Sequence, residues 1–291
     1  MPSSPAFTTL VSVTDLATHR DDPRWVILDC RHDLIDPGSG RAAFAAGHIP
    51  GAQFAAIDTD LSDKSAAADG AFRGRHPLPP RAVFLDTLRR WGIDDSTQVV
   101  AYDAQGGMFA ARLWWMLRWV GHARVAVLDG GLTAWTATGL PVSSDAELPP
   151  TARGNLDERP TLVTIVQARE IVADLAHGNR TVIDARAPDR FRGENETLDP
   201  VGGHIPGAKN RFYKDNLQAD GHFKSAAQLR AAFNTLIEDP TTAIMQCGSG
   251  VTACHNLLAM EVAGLSGAAL YPGSWSEWCA DETRPVATGA T

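Results

Sequence analysis

The sequence of 291 residues has few cysteines, no long apolar run and no excess of basic residues. Its four cysteines show no CxxC spacing, so we expect neither a disulfide framework nor a zinc site. A membrane-spanning helix needs about 18 or more consecutive apolar residues, and no such run occurs. The net charge is −8 and the basic residues are scattered, which argues against nucleic acid as the main partner.

The amino-terminal segment MPSSPAFTTLVS also lacks the marks of a targeting sequence. It has neither the basic and apolar regions of a secretory signal nor the arginine-rich pattern of a transit peptide, so we expect a cytoplasmic protein. Apolar residues make up 44% of the chain and charged residues 21%, as in ordinary globular proteins. At about 150 residues per domain, this length predicts two domains.

An internal duplication organises the chain. The segment GHIPGA occurs at Gly47 and again at Gly203. Asp29 precedes the first copy by 18 residues, and Asp184 precedes the second by 19. Such self-similarity indicates two copies of one structural unit.

The same register relates an aspartate to a cysteine. Asp103 lies 27 residues before Gly130, and Cys247 lies 26 residues before Gly273. Trp135 follows the first of these glycines by five residues, and a tryptophan follows the second at the same spacing. One half of the chain therefore carries a potential nucleophile where the other carries a carboxylate.

In each half, short apolar runs alternate with amphipathic stretches, which predicts two α/β domains with mainly parallel sheets flanked by helices. We predict a first domain over 1–142, a linker over 143–160 and a second domain over 161–291. Ligands bind at the carboxyl ends of strands in such sheets, which is where Cys247 falls. Strands are predicted at 25–28, 98–102, 125–128, 181–183, 242–246 and 268–271, and helices at 81–91, 108–120, 166–175, 225–237 and 255–263.

The segment CGSGVTAC over 247–254 joins a predicted strand to a predicted helix. Gly248 and Gly250 let the backbone curl tightly, so that its amide N–H groups turn inward. Such a nest, completed by the helix N-terminus, stabilises negative charge and favours a thiolate. We predict that Cys247 is a nucleophile; the alternative is a buried structural cysteine in a glycine-containing turn.

With these residues in view, the chain resembles the two-domain rhodanese-like sulfurtransferases over nearly its whole length. The resemblance rests on the paired GHIPGA segments, on Leu128-Asp-Gly-Gly131 followed by Trp135, on Asp184-Ala-Arg186 with Arg190-Phe191, and on the Cys247 loop. It implies tandem rhodanese-like domains, of which the first is catalytically silent and the second carries the catalytic cysteine.

The residues after the cysteine indicate which sulfur donor the protein uses. The CGSGVTA form resembles the 3-mercaptopyruvate sulfurtransferases, whereas thiosulfate-using relatives place basic residues at the positions that are Gly248 and Ser249 here. The resemblance implies that Cys247 attacks the sulfur of 3-mercaptopyruvate, forms a persulfide and releases pyruvate. Two alternatives remain open, a thiosulfate:cyanide sulfurtransferase and a non-catalytic sulfur-carrier or binding module.

The resemblance also implies a proton relay. Ser249 would pass protons between donor, cysteine and product, with His76 and Asp63 reaching over from the N-terminal domain. A histidine held by a carboxylate is a suitable proton carrier near neutral pH. The alternative for His76 and Asp63 is a surface loop without a catalytic role.

The expected donor-binding group is Arg190, whose guanidinium can hold a carboxylate at two points. Family members that use mercaptopyruvate carry a second arginine nine residues later, where this chain has Asp199, and Arg192 is a candidate replacement. The resemblance implies a small-molecule donor, an acceptor such as thioredoxin, a small thiol or cyanide, no cofactor or metal, and a monomer. Further substrate-binding residues are expected in the loop, namely Gly248, Gly250, Val251 and Thr252.

Overall fold

The computed structural model describes residues 6–65, 70–147, 150 and 152–290. These residues form two compact units, which comprise residues up to 62 with 79–162 and 219–222, and residues 63–78 with 163–218 and 223 onward. Each unit contains one five-stranded sheet. Within the described ranges, no helix is long and apolar enough to cross a membrane.

The first unit is built on a parallel sheet with strand order β1-β5-β4-β2-β3. Its central strands are continuous apolar runs, and all residues of β4 are buried, as expected for a sheet covered on both faces. Its elements are β1 (Leu10–Val11), α1 (Val13–His19), β2 (Trp25–Asp29), α2 (Ser39–Ala46), β3 (Gln53–Phe54), α3 (Arg81–Arg90), β4 (Gln98–Tyr102), α4 (Ala110–Trp119), β5 (Val125–Leu128) and α5 (Gly131–Ala137).

The second unit repeats this topology, with strand order β6-β10-β9-β7-β8 and parallel pairing throughout. Short 3₁₀ turns lie at Tyr213–Asn216 and Pro240–Thr242. Its other elements are β6 (Thr164–Ile165), α6 (Ala168–Asp174), β7 (Thr181–Asp184), α7 (Pro188–Arg192), β8 (Lys209–Asn210), α8 (Ala226–Asn234), β9 (Ala243–Gln246), α9 (Thr252–Val262), β10 (Ala269–Leu270) and α10 (Ser274–Trp278). The predicted pair of parallel α/β sheets is confirmed.

The repeated sequence segments support the sheets in the same way in both units. Arg186 pairs with Asp184 at 2.7 Å and donates to the carbonyl of Gly203 at 2.6 Å, which ties the end of β7 to the second GHIPGA segment. In the first unit Arg31 contacts Asp29 and the Gly47 carbonyl in the same pattern, each at 2.7 Å. These buried ion pairs explain why the aspartate and GHIPGA recur at matched spacing.

One predicted helix boundary needs correction. The helix after Cys247 begins at Thr252, three residues before the predicted start, so the cysteine loop is shorter than expected. The described residues of the tract 143–160 group with the first unit, where Ser143 bridges His48 in antiparallel fashion. The linker assigned to this tract stays a prediction. The domain boundaries at 142 and 161 remain a prediction.

Candidate active site

Cys247 lies directly after β9, at the carboxyl end of the central strand of the second unit. The residue is 2% exposed. Its backbone N–H donates to the Ser274 hydroxyl at 3.1 Å, and its carbonyl accepts from the Trp275 N–H at 2.9 Å. The start of α10 therefore fixes the backbone of the predicted nucleophile.

Ser274 has an unusual backbone conformation. Its φ of 53° is the only positive φ of a non-glycine residue in the described part of the chain. Such a conformation costs about 1–3 kcal/mol and persists where the surroundings enforce it. The repeat register places Gly131 at the equivalent point of the first unit, where φ is 57° and a Cβ would lie 2.3 Å from the Asp103 carbonyl oxygen. In the second unit the position carries a hydroxyl, which donates to the Tyr271 carbonyl at 2.9 Å.

The two loop glycines meet different constraints. Gly250 has a φ of 76°, and a Cβ there would lie 2.3 Å from the Pro272 carbonyl oxygen. A Cβ on Gly248 would lie 2.7 Å from Nη2 of Arg75. The backbone therefore requires glycine at 250, whereas at 248 glycine makes room for a guanidinium. Val251, which is buried, and Thr252 complete the turn into α9.

The loop at Asp103 in the first unit shows what this architecture does to an anion. Oδ1 of Asp103 accepts from the N–H groups of Gln105 and Gly107, each at 2.8 Å. Oδ2 accepts from Phe109 at 2.9 Å and Ala110 at 3.0 Å. Burial raises the pKa of Asp103, and these four backbone hydrogen bonds offset that effect in part, so the net shift is upward. The strand-to-helix turn is thus an amide cradle, filled in the first unit by the chain's own carboxylate.

Ser249 contacts His76 as the predicted relay requires. The Ser249 hydroxyl lies 2.8 Å from Nδ1 of His76, and both residues are buried. The family resemblance predicts that His76 reaches over from the N-terminal domain, but residues 63–78 group with the second unit. The reason is direct hydrogen bonding, since the backbone N–H of Arg75 donates to the Ser276 hydroxyl at 3.1 Å.

Asp63 belongs to the same segment. Its carboxylate accepts from the Ser65 N–H at 2.9 Å and lies 3.8 Å from Nη2 of Arg73. Hydrogen bonding to Ser65 is the main cause of the lowered pKa of Asp63. Its backbone N–H donates to the carbonyl of Pro77, the residue after His76, at 2.9 Å. Asp63 thus supports the backbone beside His76.

Arg190 and Arg186 share a carboxylate. Arg190 contacts Glu196 through two nitrogens, at 2.7 Å and 3.1 Å, and Arg186 lies 3.3 Å from the same carboxylate. Arg186 also pairs with Asp184 at 2.7 Å. Burial acts to lower the pKa of Arg186, but the carboxylates of Asp184 and Glu196 outweigh burial, so the net shift is upward.

The rhodanese-like domain family matches two stretches of the chain, residues 12–138 and 167–281. The protein belongs to the rhodanese-like family.

Similar sulfurtransferases cover nearly the whole chain. A Pseudomonas aeruginosa protein named "Probable 3-mercaptopyruvate sulfurtransferase" is 44% identical over 284 residues, which is 96% of this chain and 98% of that protein. The thiosulfate sulfurtransferase of Gallus gallus is 38% identical over 87% of this chain and 85% of its own length. The solved 3-mercaptopyruvate sulfurtransferase from Leishmania major superimposes with a TM-score of 0.83 at 31% identity, over 96% of this chain and 76% of that one.

This rhodanese-like protein departs from the sequence prediction at its second arginine. Arg192 pairs with Glu194 at 2.7 Å, outside the cluster at Arg190. Asp199 instead forms ion pairs with Arg190, at 3.5 Å, and with Arg75. Arg75, and not Arg192, therefore lies beside Asp199 and Arg190.

Sequence reasoning missed three members of this site, Arg75, Glu196 and Ser274. Arg75 lies in a glycine-containing stretch without periodicity, and Glu196 carries no motif. Ser274 could have been found, because the repeat register aligns it with Gly131 beside the aligned glycines at 130 and 273.

Proposed function

We propose that this protein transfers sulfur from 3-mercaptopyruvate through a persulfide on Cys247. The observation that carries the proposal is a buried cysteine at the end of β9, preceding a loop in which Ser249 contacts His76 at 2.8 Å. A nucleophile followed by a hydroxyl and an imidazole within hydrogen-bond distance provides both a bond-forming group and a route for protons.

In the first half-reaction the Cys247 thiolate attacks the thiol sulfur of the donor. A sulfur–sulfur bond forms, the carbon–sulfur bond of the donor breaks, and its electron pair leaves on carbon as the enolate of pyruvate. The enolate takes up a proton, for which Ser249 and His76 are the proposed route. The donor's own thiol proton remains on the outer sulfur until the persulfide ionises.

The amide cradle is the proposed means of holding negative charge on sulfur. The equivalent turn in the first unit binds the Asp103 carboxylate through four backbone N–H groups. Backbone donors already oriented toward a developing charge stabilise it without reorganisation. The first domain is proposed to be catalytically silent because a carboxylate stands where the second has its thiol.

In the second half-reaction an acceptor attacks the outer sulfur and regenerates the Cys247 thiolate. We propose a thiol acceptor, either a small thiol or thioredoxin, with cyanide serving in an assay. The protein is proposed to act in the cytoplasm as a monomer, and the presence of both rhodanese-like domains in one chain supports the monomer.

The second candidate donor is thiosulfate, which is named for the Gallus gallus relative. The uncharged Gly248-Ser249 pair favours the monoanionic mercaptopyruvate over a dianion. Comparing kcat/KM for the two donors on the purified protein decides between them. A clear preference for thiosulfate overturns the choice of mercaptopyruvate but leaves the persulfide step intact.

Intact-mass analysis after donor treatment tests the covalent step. The wild type should gain one sulfur atom, Cys247→Ser none, and Cys254→Ser one as in the wild type. Cys254 is the matched control because it is buried seven residues on, with its thiol 3.3 Å from the Gly250 carbonyl. Equal sulfur gain in wild type and Cys247→Ser contradicts the mechanism. No gain in either supports the alternative of a binding module.

A further inference from the structure

We propose that Arg75 is a donor-binding residue which, together with Arg190, holds the carboxylate of the donor beside Gly248. This inference rests on the proposed function and names a group that sequence reasoning did not assign. It places the second positive charge of the donor site on the segment 70–78 instead of on α7.

The two guanidiniums converge on the residue that follows the nucleophile. From the position of a Cβ on Gly248, Nη2 of Arg75 lies at 2.7 Å and the terminal nitrogens of Arg190 at 3.6 and 3.7 Å. A donor whose sulfur lies at Cys247 has its carboxylate a few bonds away, which is within reach of both groups. Guanidiniums bind carboxylates through paired, charge-assisted hydrogen bonds.

The ion pairs of Asp199 show that the guanidiniums of Arg75 and Arg190 attract a carboxylate. One of its oxygens pairs with Nη1 of Arg75, and the other lies 3.5 Å from Nη2 of Arg190. The Asp199 side chain is only 3% exposed, and Oδ2 has no hydrogen-bond partner among the described residues. A buried carboxylate oxygen left without a hydrogen bond is held there by the two positive charges.

Arg75 can serve Asp199 and a donor at once. Its Nη1 faces Asp199 while its Nη2 faces Gly248, and a guanidinium has five N–H donors in a fixed plane. The side chains of Arg75 and Arg190 are 25% and 20% exposed, so a small anion can reach them. Asp199 thus orients the guanidinium without using all of its donors.

The backbone holds Arg75 against the same turn that fixes the nucleophile. Gly74 has a φ of 93°, and a Cβ there would lie 2.7 Å from the Gly273 carbonyl oxygen. Ser276 accepts the Arg75 N–H through its side chain and donates its own N–H to the Gly248 carbonyl at 2.9 Å. Arg75 and the Cys247 loop are therefore positioned by one element, α10.

The test compares Arg75→Gln and Arg75→Lys with the wild type, and uses Arg192→Gln as the matched control in α7. We expect Arg75→Gln to raise the KM for 3-mercaptopyruvate and the inhibition constant of pyruvate by about tenfold, with kcat changed much less. Arg75→Lys should recover part of the loss because it keeps the charge but not the paired geometry. Arg192→Gln should leave all three constants unchanged.

Pyruvate binding to the Cys247→Ser protein, measured by calorimetry, separates this proposal from the covalent mechanism. If Arg75→Gln weakens pyruvate binding in that background, Arg75 binds the carboxylate whether or not mercaptopyruvate donates sulfur. If pyruvate binding and KM stay within twofold of the wild type, or if only kcat falls, the proposal is wrong. Thermal unfolding of each variant shows whether the fold is kept.

Discussion

Ser274 combines a strained backbone conformation with a hydrogen bond to the backbone of the nucleophile. Its hydroxyl accepts the Cys247 N–H, and its φ of 53° is one that glycine adopts freely. The equivalent residue of the first unit is Gly131, which has no hydroxyl to offer. We infer that the strain at 274 is retained because the hydroxyl supports the backbone of the nucleophile.

Replacing Ser274 separates strain from hydrogen bonding. Ser274→Ala keeps the strained φ and loses the hydroxyl, whereas Ser274→Gly loses the hydroxyl and relieves the strain. We expect the alanine variant to be less stable than the glycine variant by about 1–2 kcal/mol, the reverse of the usual order inside a helix. Urea unfolding measures the difference; an alanine variant as stable as the glycine variant shows that no strain is stored there.

Asp199 is expected to influence which donor the site prefers. Its negative charge lies beside both arginines, and a dianion is repelled by it twice as strongly as a monoanion. One unit of charge about 4 Å away contributes about 1 kcal/mol even at the dielectric constant of water, and this lower bound corresponds to about fivefold in rate. Asp199→Asn should therefore shift the ratio of kcat/KM values toward thiosulfate by about fivefold.

For Asp199→Asn the informative quantity is the ratio of the kcat/KM values for thiosulfate and mercaptopyruvate. Any change in the position of Arg75 affects both kcat/KM values and leaves their ratio less changed. Arg192→Gln removes a charge from the neighbouring helix and serves as the control. An unchanged ratio, or a shift toward mercaptopyruvate, contradicts the assigned influence of Asp199 on donor charge.

At the scale of elements, the turn from strand to helix is the recurring device of both units. In each unit, the residue directly after a central strand accepts, through its carbonyl, an N–H from the start of a later helix. The Leu132 N–H donates to Asp103 and the Trp275 N–H to Cys247, both at 2.9 Å. The sequence predicted this turn at Cys247 from Gly248 and Gly250, and it placed Asp103 at the equivalent position by the repeat register. It did not predict the early start of α9, since Thr252 to Cys254 carry no helical periodicity of their own.

The cradle of the first unit makes Asp103→Asn a stability test. The carboxylate accepts four backbone hydrogen bonds, two on each oxygen, and the NH₂ group of asparagine replaces one oxygen and cannot accept the two hydrogen bonds made there. We expect a loss of about 1–3 kcal/mol in the free energy of unfolding, measured by urea denaturation. Asp86→Asn, which removes only surface ion pairs, should change stability by less than about 1 kcal/mol. Equal effects of the two variants contradict the cradle.

Glu196, in the segment after α7, is expected to make the stability of the fold depend on pH. Burial acts to raise its pKa, but hydrogen bonds from Arg190 and from the Leu198 N–H outweigh burial and lower it. A carboxyl with a lowered folded-state pKa adds stability above its unfolded pKa, about 4.3, and loses that contribution as pH falls through the folded value. Glu196→Gln should therefore be less stable than the wild type by about 1–3 kcal/mol at pH 7.

The difference between Glu196→Gln and the wild type should shrink as pH falls below about 4. Urea unfolding at pH 7, 5 and 3.5 measures it. Glu194→Gln is the control in the same segment, because that carboxylate pairs with Arg192 at the surface and contributes little. A gap that stays constant with pH means that the Glu196 charge does not stabilise the fold.

For the whole molecule, the sequence predicted the repeated architecture well because each repeat carries its own signals. The aspartate, the GHIPGA segment and the glycine before the tryptophan each make their hydrogen bonds within their own repeat. Arg75 could not be predicted in the same way, since its contacts at Ser276 and Asp199 are separated from it by 201 and 124 residues. Its segment has no periodicity, so only the tertiary structure reveals which residues it meets.

The most direct test of the persulfide mechanism is the amount of sulfur on Cys247 compared with the pyruvate released, when 3-mercaptopyruvate is mixed with protein in the absence of an acceptor. Peptide fragmentation distinguishes sulfur on Cys247 from sulfur on Cys254. The mechanism predicts one sulfur on Cys247 for each pyruvate formed, and neither product from Cys247→Ser. Pyruvate released without sulfur on Cys247, or sulfur found on Cys254 instead, would contradict it.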